Sequence, residues 1–133
     1  MKMKKIPSFN LQEILIVLAI IGILLLLALP NLMPLISKAK SVEAQTQLKY
    51  LYNSQTTHRY MYSKYSSDLS ELDFEAPKTV KDGGAANYSY DIIQADNNTF
   101  KARATAVTDF DGDGVFNVWE IDQNGNPKQT VKD

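Results

Sequence analysis

The residues with the densest chemistry lie late in the chain, in Asp109-Phe110-Asp111-Gly112-Asp113-Gly114-Val115-Phe116-Asn117-Val118-Trp119-Glu120. Read as a twelve-residue calcium loop, this stretch puts oxygen-bearing side chains at the first, third, fifth, ninth and twelfth positions, glycine at the sixth and an apolar residue at the eighth. The ligand set would be Asp109, Asp111, Asp113, Val115 through its carbonyl, Asn117 and Glu120. Three carboxylates within five residues repel one another, and a hard divalent cation such as Ca2+ relieves that repulsion. Its role would be to rigidify an exposed sheet edge, not to catalyse. A polar hairpin turn built on Asp-Gly pairs accounts for the same residues, and the flanks read as strands where an EF-hand needs helices. Both readings can hold together.

Other chemistry is sparse. The 133-residue chain has no cysteine, which excludes disulfides, thiolate metal sites and a cysteine nucleophile. Its single histidine, His58, reads with Arg59 as a solvated or subunit-facing polar pair. No nucleophile, base and acid are arranged for catalysis, and no glycine-rich phosphate loop is present, so no enzyme activity is expected. A formal net charge of -1 supplies no basic face for nucleic acid. The tyrosines at 50, 52, 60, 62 and 65 read as packing and interface surface.

One more acid stands out by its surroundings. Glu13 precedes sixteen consecutive apolar residues, Ile14 to Leu29, although the mean hydropathy of the whole chain is only −0.24. From Ile14 to Ile36 only Asn31 interrupts the apolar character, and that length of helix, about 35 Å, crosses a bilayer core. Lys2, Lys4 and Lys5 precede it without an acid, which places the N-terminus in the cytoplasm and the rest of the chain outside. A cleaved secretory signal is the first competitor. The apolar run is longer than such a signal needs, no small-x-small site follows Leu29, and Glu13 lies where only apolar residues belong. A carboxylate at the hydrocarbon edge needs a partner. Glu13 can cap the helix N-terminus, where the helix dipole favours a negative charge.

The elements around these residues follow from periodicity. Pro30 and Pro34 predict a bend or a locally melted stretch near 29–35. Ala44, Leu48, Leu51, Tyr52, Gln55 and Tyr62 then share one helical face, with Glu43, Thr46, Lys49 and Asn53 on the other. A helix from Phe9 to about Tyr62 would span roughly 80 Å, too long for a small head to surround, so its first half should project into lipid or among copies of itself. Beyond it, Ser67 or Asp68 can cap a turn that packs Leu69 and Leu72, with Pro77 as the stop. Strands are expected at 88–94, 100–107 and 115–122, in an antiparallel meander, with Asn124-Gly125 turning into a short last strand or tail. In the second strand Phe100, Ala102, Ala104 and Ala106 share the face that can lie close against the helix. The fold class is α+β: a long N-terminal α-helix packed on a small antiparallel β-sheet of three to four strands.

The order of basic leader, Ser8, Phe9, Asn10-Leu11-Gln12-Glu13, a long apolar helix and Pro30 resembles the N-terminus of a type IV pilin or pseudopilin precursor. The segment from Tyr65 to Leu72 is similar to that family's post-helix segment. The resemblance implies cleavage by a prepilin peptidase between Ser8 and Phe9, N-methylation of Phe9, a role for Phe9 and Glu13 in assembly, and a helix kinked or loosened at Pro30; the amine so freed at Phe9, on the same or a neighbouring chain, is then a partner for Glu13 that would set the depth at which helices meet. Ser8 departs from the glycine usual before the cut. Cleavage would leave 11 basic and 15 acidic side chains. The family also implies a homo-oligomeric filament, an inner-membrane assembly platform as partner, and a bacterial inner-membrane precursor that becomes a periplasmic or extracellular filament. Some pseudopilins carry a structural calcium near the C-terminus. Three regions are expected: a leader at 1–8, a transmembrane and assembly half of the helix at 9–36, and a head at 37–133. Alternatives are a pseudopilin of a type II secretion system, or a single-pass membrane-anchored calcium-binding module that keeps residues 1–8.

Overall fold

The computed structural model of the chain describes residues 10–133, apart from the side chains of residues 30 and 31. Ser8 and Phe9, with the cleavage and methylation assigned to them, lie outside the described residues. Helix α1 runs from Leu11 to Tyr62, 52 residues, and its backbone is helical through both prolines. The melted stretch expected near 29–35 is therefore absent. A proline removes one amide donor but leaves the other hydrogen bonds of the surrounding turns, which hold the helix. The chain divides into two compact units, one ending at Pro34 and the other comprising Leu35–Asp133.

In the first unit, the 19 residues Leu11–Leu29 are long and apolar enough to cross a membrane, and none of them is buried within the chain. In the second unit α1 packs on an antiparallel sheet of β1 (Tyr88–Ala95), β2 (Phe100–Ala106), β3 (Val118–Asp122) and β4 (Lys128–Val131), in the order β1-β2-β3-β4. This is the expected α+β arrangement, with four strands. Ala44, Leu48 and Leu51 of α1 meet Tyr88, Tyr90, Phe100, Ala102, Ala104, Ala106 and Ile121 to form the core. The alanines of β2 are buried with Phe100 on the one face that the alternation predicts.

Polar groups on α1 fix the chain that follows it. Gln55 is fully buried, its amide donating to the Ser66 carbonyl at 2.7 Å and accepting from the Ser66 N–H at 2.9 Å. Asp68 accepts from the Ser70 N–H and caps a single 3₁₀ turn at Leu69–Glu71, which brings Leu72 into the core. Glu43 reaches across to accept from the backbone and side-chain amides of Asn87, at the start of β1.

Three expectations need correction. Tyr62 is 59% exposed rather than on the core face, because α1 ends there and the chain leaves through Ser63 at φ 61°. His58 is buried, not solvated; its Nδ1 lies 2.9 Å from the Lys64 carbonyl, so that nitrogen carries a proton and donates. The third strand begins at Val118, not at residue 115, because Asn117 turns inward, as described below.

Candidate functional site

Two places in the described residues bring together the groups singled out in the sequence. The first is the start of α1. The Glu13 N–H donates to Asn10 Oδ1 at 2.9 Å, and the Asn10 N–H donates to Glu13 Oε2 at 3.3 Å. This reciprocal pair is a capping box: each side chain satisfies a backbone donor that the first helical turn leaves unbonded. The spacing Asn10-x-x-Glu13 carried that signal in the sequence, although Asn10 was not singled out. The capping alternative for Glu13 thus has its geometry within one chain, whereas pairing with a neighbour's amine requires a second copy.

The second place is the acidic loop. Carboxylate oxygens of Asp109, Asp111, Asp113 and Asp133 lie within 4.8 Å of one another. Asp109 organises the turn by accepting from the N–H groups of Gly112, at 2.8 Å, and Gly114. Gly112 and Gly114 adopt φ of 81° and 87°, the left-handed region in which glycine carries no steric penalty. Desolvation is the largest single influence on Asp109 and acts to raise its pKa, but the hydrogen bonds from Gly114, Gly112 and Asp111 together outweigh it and hold the carboxyl below its ordinary 3.8.

Of the six ligands read from the sequence, the structure gathers the side chains of Asp109, Asp111 and Asp113 only. Val115 is engaged through its N–H, which donates to Asp113 at 2.8 Å. Asn117 is fully buried and faces away from the carboxylates: its Oδ1 accepts from Tyr88 Oη at 2.6 Å and Ser41 Oγ at 3.4 Å, and its Nδ2 donates to the Val131 carbonyl at 2.9 Å. Glu120 lies on β3 and pairs across the sheet with Arg103, at 2.7 Å. The loop is a turn between strands, so the ninth and twelfth positions do not swing back toward the first as they do between two helices. In their stead comes Asp133, which no local spacing could have revealed. Its Oδ2 accepts from the Phe110 N–H at 2.8 Å, while its Oδ1 is buried and finds no hydrogen-bond partner among the described residues.

A shallow groove of about 430 Å³ lies along the end of α1, lined by Ser54, His58, Tyr62, Glu71 and Asp73 among others. Its polar groups serve the fold: Ser54 Oγ donates to the Asp73 carbonyl at 2.9 Å, and Glu71 accepts from Ser66 Oγ at 2.6 Å.

No family model matches the chain. Over 67 residues, half of the chain, it is 41% identical to the type IV major pilin protein PilA of Myxococcus xanthus (strain DK1622), of which that stretch covers 30%. Over that half, the chain is similar to a type IV pilin. The matched stretch is less than a third of the relative's length, so likeness in the remainder of PilA is not implied. The pilin resemblance read from the sequence agrees with this likeness to a named pilin, and the long helix with an apolar segment followed by a four-stranded antiparallel sheet fits it.

Proposed function

We propose that the chain is a structural subunit that leaves a membrane pool to polymerise through its apolar helix into a type IV pilus-like filament. The observation that carries this reading is the membrane-length segment Leu11–Leu29, apolar on every side from Ile14 onward and with no residue buried in the single chain, in a protein similar to a type IV major pilin. Such a rod is soluble in lipid or among its own kind, and in little else. In this reading a peptidase removes Met1 to Ser8, the new amine at Phe9 is methylated, and Glu13 pairs with that amine on a neighbouring copy. The capping box then has a second purpose: it satisfies Glu13 internally until a neighbour's amine arrives. Assembly-platform proteins and an inner-membrane origin with the head outside belong to the same proposal. A type II secretion pseudopilin shares every one of these steps. The test is mass spectrometry of the intact purified protein. A mass beginning at methylated Phe9 is expected; a chain retaining Met1 to Ser8 overturns processing and favours a monomeric membrane-anchored module.

A calcium ion at the acidic loop is a second proposal, favoured by the buried, unpartnered Oδ1 of Asp133 beside three further carboxylates. All the donors are hard carboxylate oxygens, the set that Ca2+ prefers. Asp109, Asp111, Asp113 and Asp133 would hold it, and its contribution would be rigidity. Chelator in excess should lower the melting midpoint of the protein, and readded calcium should restore it; an unchanged midpoint removes the ion from the account.

A further inference from the structure

Val115 and Phe116 are exposed, at 40% and 42%, within a loop rich in aspartate and glycine. The turn does not need them to be apolar, since its hydrogen bonds run from backbone N–H groups to Asp109, Asp111 and Asp113. The loop and the segment beside it are fixed to α1 at one level. The Phe110 ring lies under Lys40 Nζ at 4.5 Å, Asn117 Oδ1 accepts from Ser41 Oγ at 3.4 Å, and the Asp133 main-chain oxygen accepts from Ser37 Oγ at 3.2 Å. Ser37, Lys40 and Ser41 stand in the first two turns of the helix that belong to the Leu35–Asp133 unit. Those turns open with exposed Leu35 and Ile36 and carry exposed Lys38. Ser37 follows Leu29, the last residue of the membrane-length segment, by eight residues. Eight residues reach at most about 29 Å even when fully extended, and the twelve residues to Ser41 at most about 43 Å, so chain connectivity alone keeps the loop's anchors within that reach of the end of the span.

We infer that Val115 and Phe116, together with Leu35 and Ile36, form a bilayer-contact surface of the head, occupied by a phospholipid interface while the chain is in the membrane pool. This inference rests on the membrane-pool reading above. Apolar side chains of this size enter the boundary between headgroups and acyl chains, and Lys38 can keep its ammonium at the lipid phosphates while its stem lies on apolar surface. Entry into a filament would withdraw the four apolar side chains from lipid, so the contact holds the head at the membrane until assembly replaces it.

The chain has no cysteine, so single-cysteine variants each report one position. The full-length protein is reconstituted at low density in vesicles of phosphatidylethanolamine and phosphatidylglycerol, with an environment-sensitive fluorophore on Phe116→Cys, Val115→Cys, Ile23→Cys or Tyr60→Cys. The labels at 115 and 116 should show blue-shifted emission and lose intensity with lipid carrying a nitroxide near the headgroup; the label at Tyr60, on the far end of α1, should do neither. Because 115 and 116 are both exposed, agreement between the two variants guards against misfolding of one. Labels at 115 and 116 that behave like the one at 60, while Ile23 reports burial in lipid, overturn the inference and leave the span intact. An Ile23 label in water overturns the span as well. A blue shift that needs high protein density and ignores the lipid quencher assigns the surface to a second copy, and also overturns the inference.

Discussion

At the scale of single residues, Asn117 shows how a motif can be matched and its chemistry misassigned. It stands ninth in a loop with calcium-like spacing, yet it is the fully buried residue through which α1, β1 and β4 are joined by hydrogen bonds. A buried amide left without partners costs far more than a solvated one, so the core claims Asn117 before any ion could. Spacing within the loop made Asp109, Asp111 and Asp113 legible; Asp133, twenty residues further along than Asp113, was not, because tertiary packing alone brings it there. The β-hairpin tip illustrates the opposite case, in which local chemistry suffices. Asp96 accepts from the Asn98 N–H at 2.8 Å, the Thr99 N–H at 2.7 Å and the Thr99 hydroxyl at 2.8 Å. The Asn98 N–H is the leading cause, with the Thr99 groups, of a pKa below the ordinary 3.8. A carboxyl depressed in the folded state binds more protons when unfolded, so its stabilisation is present above the ordinary value and is lost as pH falls through the folded one. The melting midpoint of the full chain should therefore fall as pH is lowered from about 5 to about 3, and Asp96→Asn should flatten that slope without abolishing it, because Asp68 is also depressed by Ser70. Identical slopes for the two proteins would show that the tip does not couple to protons.

At the scale of elements, strand positions were readable to within a few residues wherever alternation and turn chemistry agreed. Phe100, Ala102, Ala104 and Ala106 alternate with Lys101, Arg103 and Thr105, and the former set is buried as a face. Where a side chain had a private destination, the pattern misled: Val115 to Asn117 look like strand but belong to the loop. His58 misled in the same manner, since a polar residue beside Arg59 gives no local sign that its Nδ1 will bind the Lys64 carbonyl. The connection from β3 to β4 offers a sharper test of element geometry. Gly125 has φ 77°, its carbonyl accepts from Lys49 Nζ at 2.5 Å, and a Cβ there would lie 2.9 Å from Cζ of Tyr52. Alanine must carry both the left-handed strain and the contact. Gly125→Ala should therefore destabilise the head by about 1–2 kcal/mol, read as a lowered denaturation midpoint. An unchanged midpoint would mean that β4 does not dock as described.

At the scale of the whole molecule, sequence composition already separates an apolar rod from an ordinary small head, because no packing within 133 residues needs sixteen successive apolar positions of which none is buried. That asymmetry was legible at once; the interruption expected at the prolines was not found, since local rules about proline donors do not count the turns on either side. The central claim is that the rod exchanges lipid for copies of itself. It is tested most directly by electron cryomicroscopy of material sheared from cells producing this chain, with the subunit identified by mass and a Glu13→Ala strain beside it. The account predicts helical filaments of this subunit from the unaltered strain, with its apolar helices packed together inside. From the Glu13→Ala strain it predicts membrane-inserted, unassembled protein. Solitary copies alone in sheared fractions and cross-linked envelopes of the unaltered strain would contradict it.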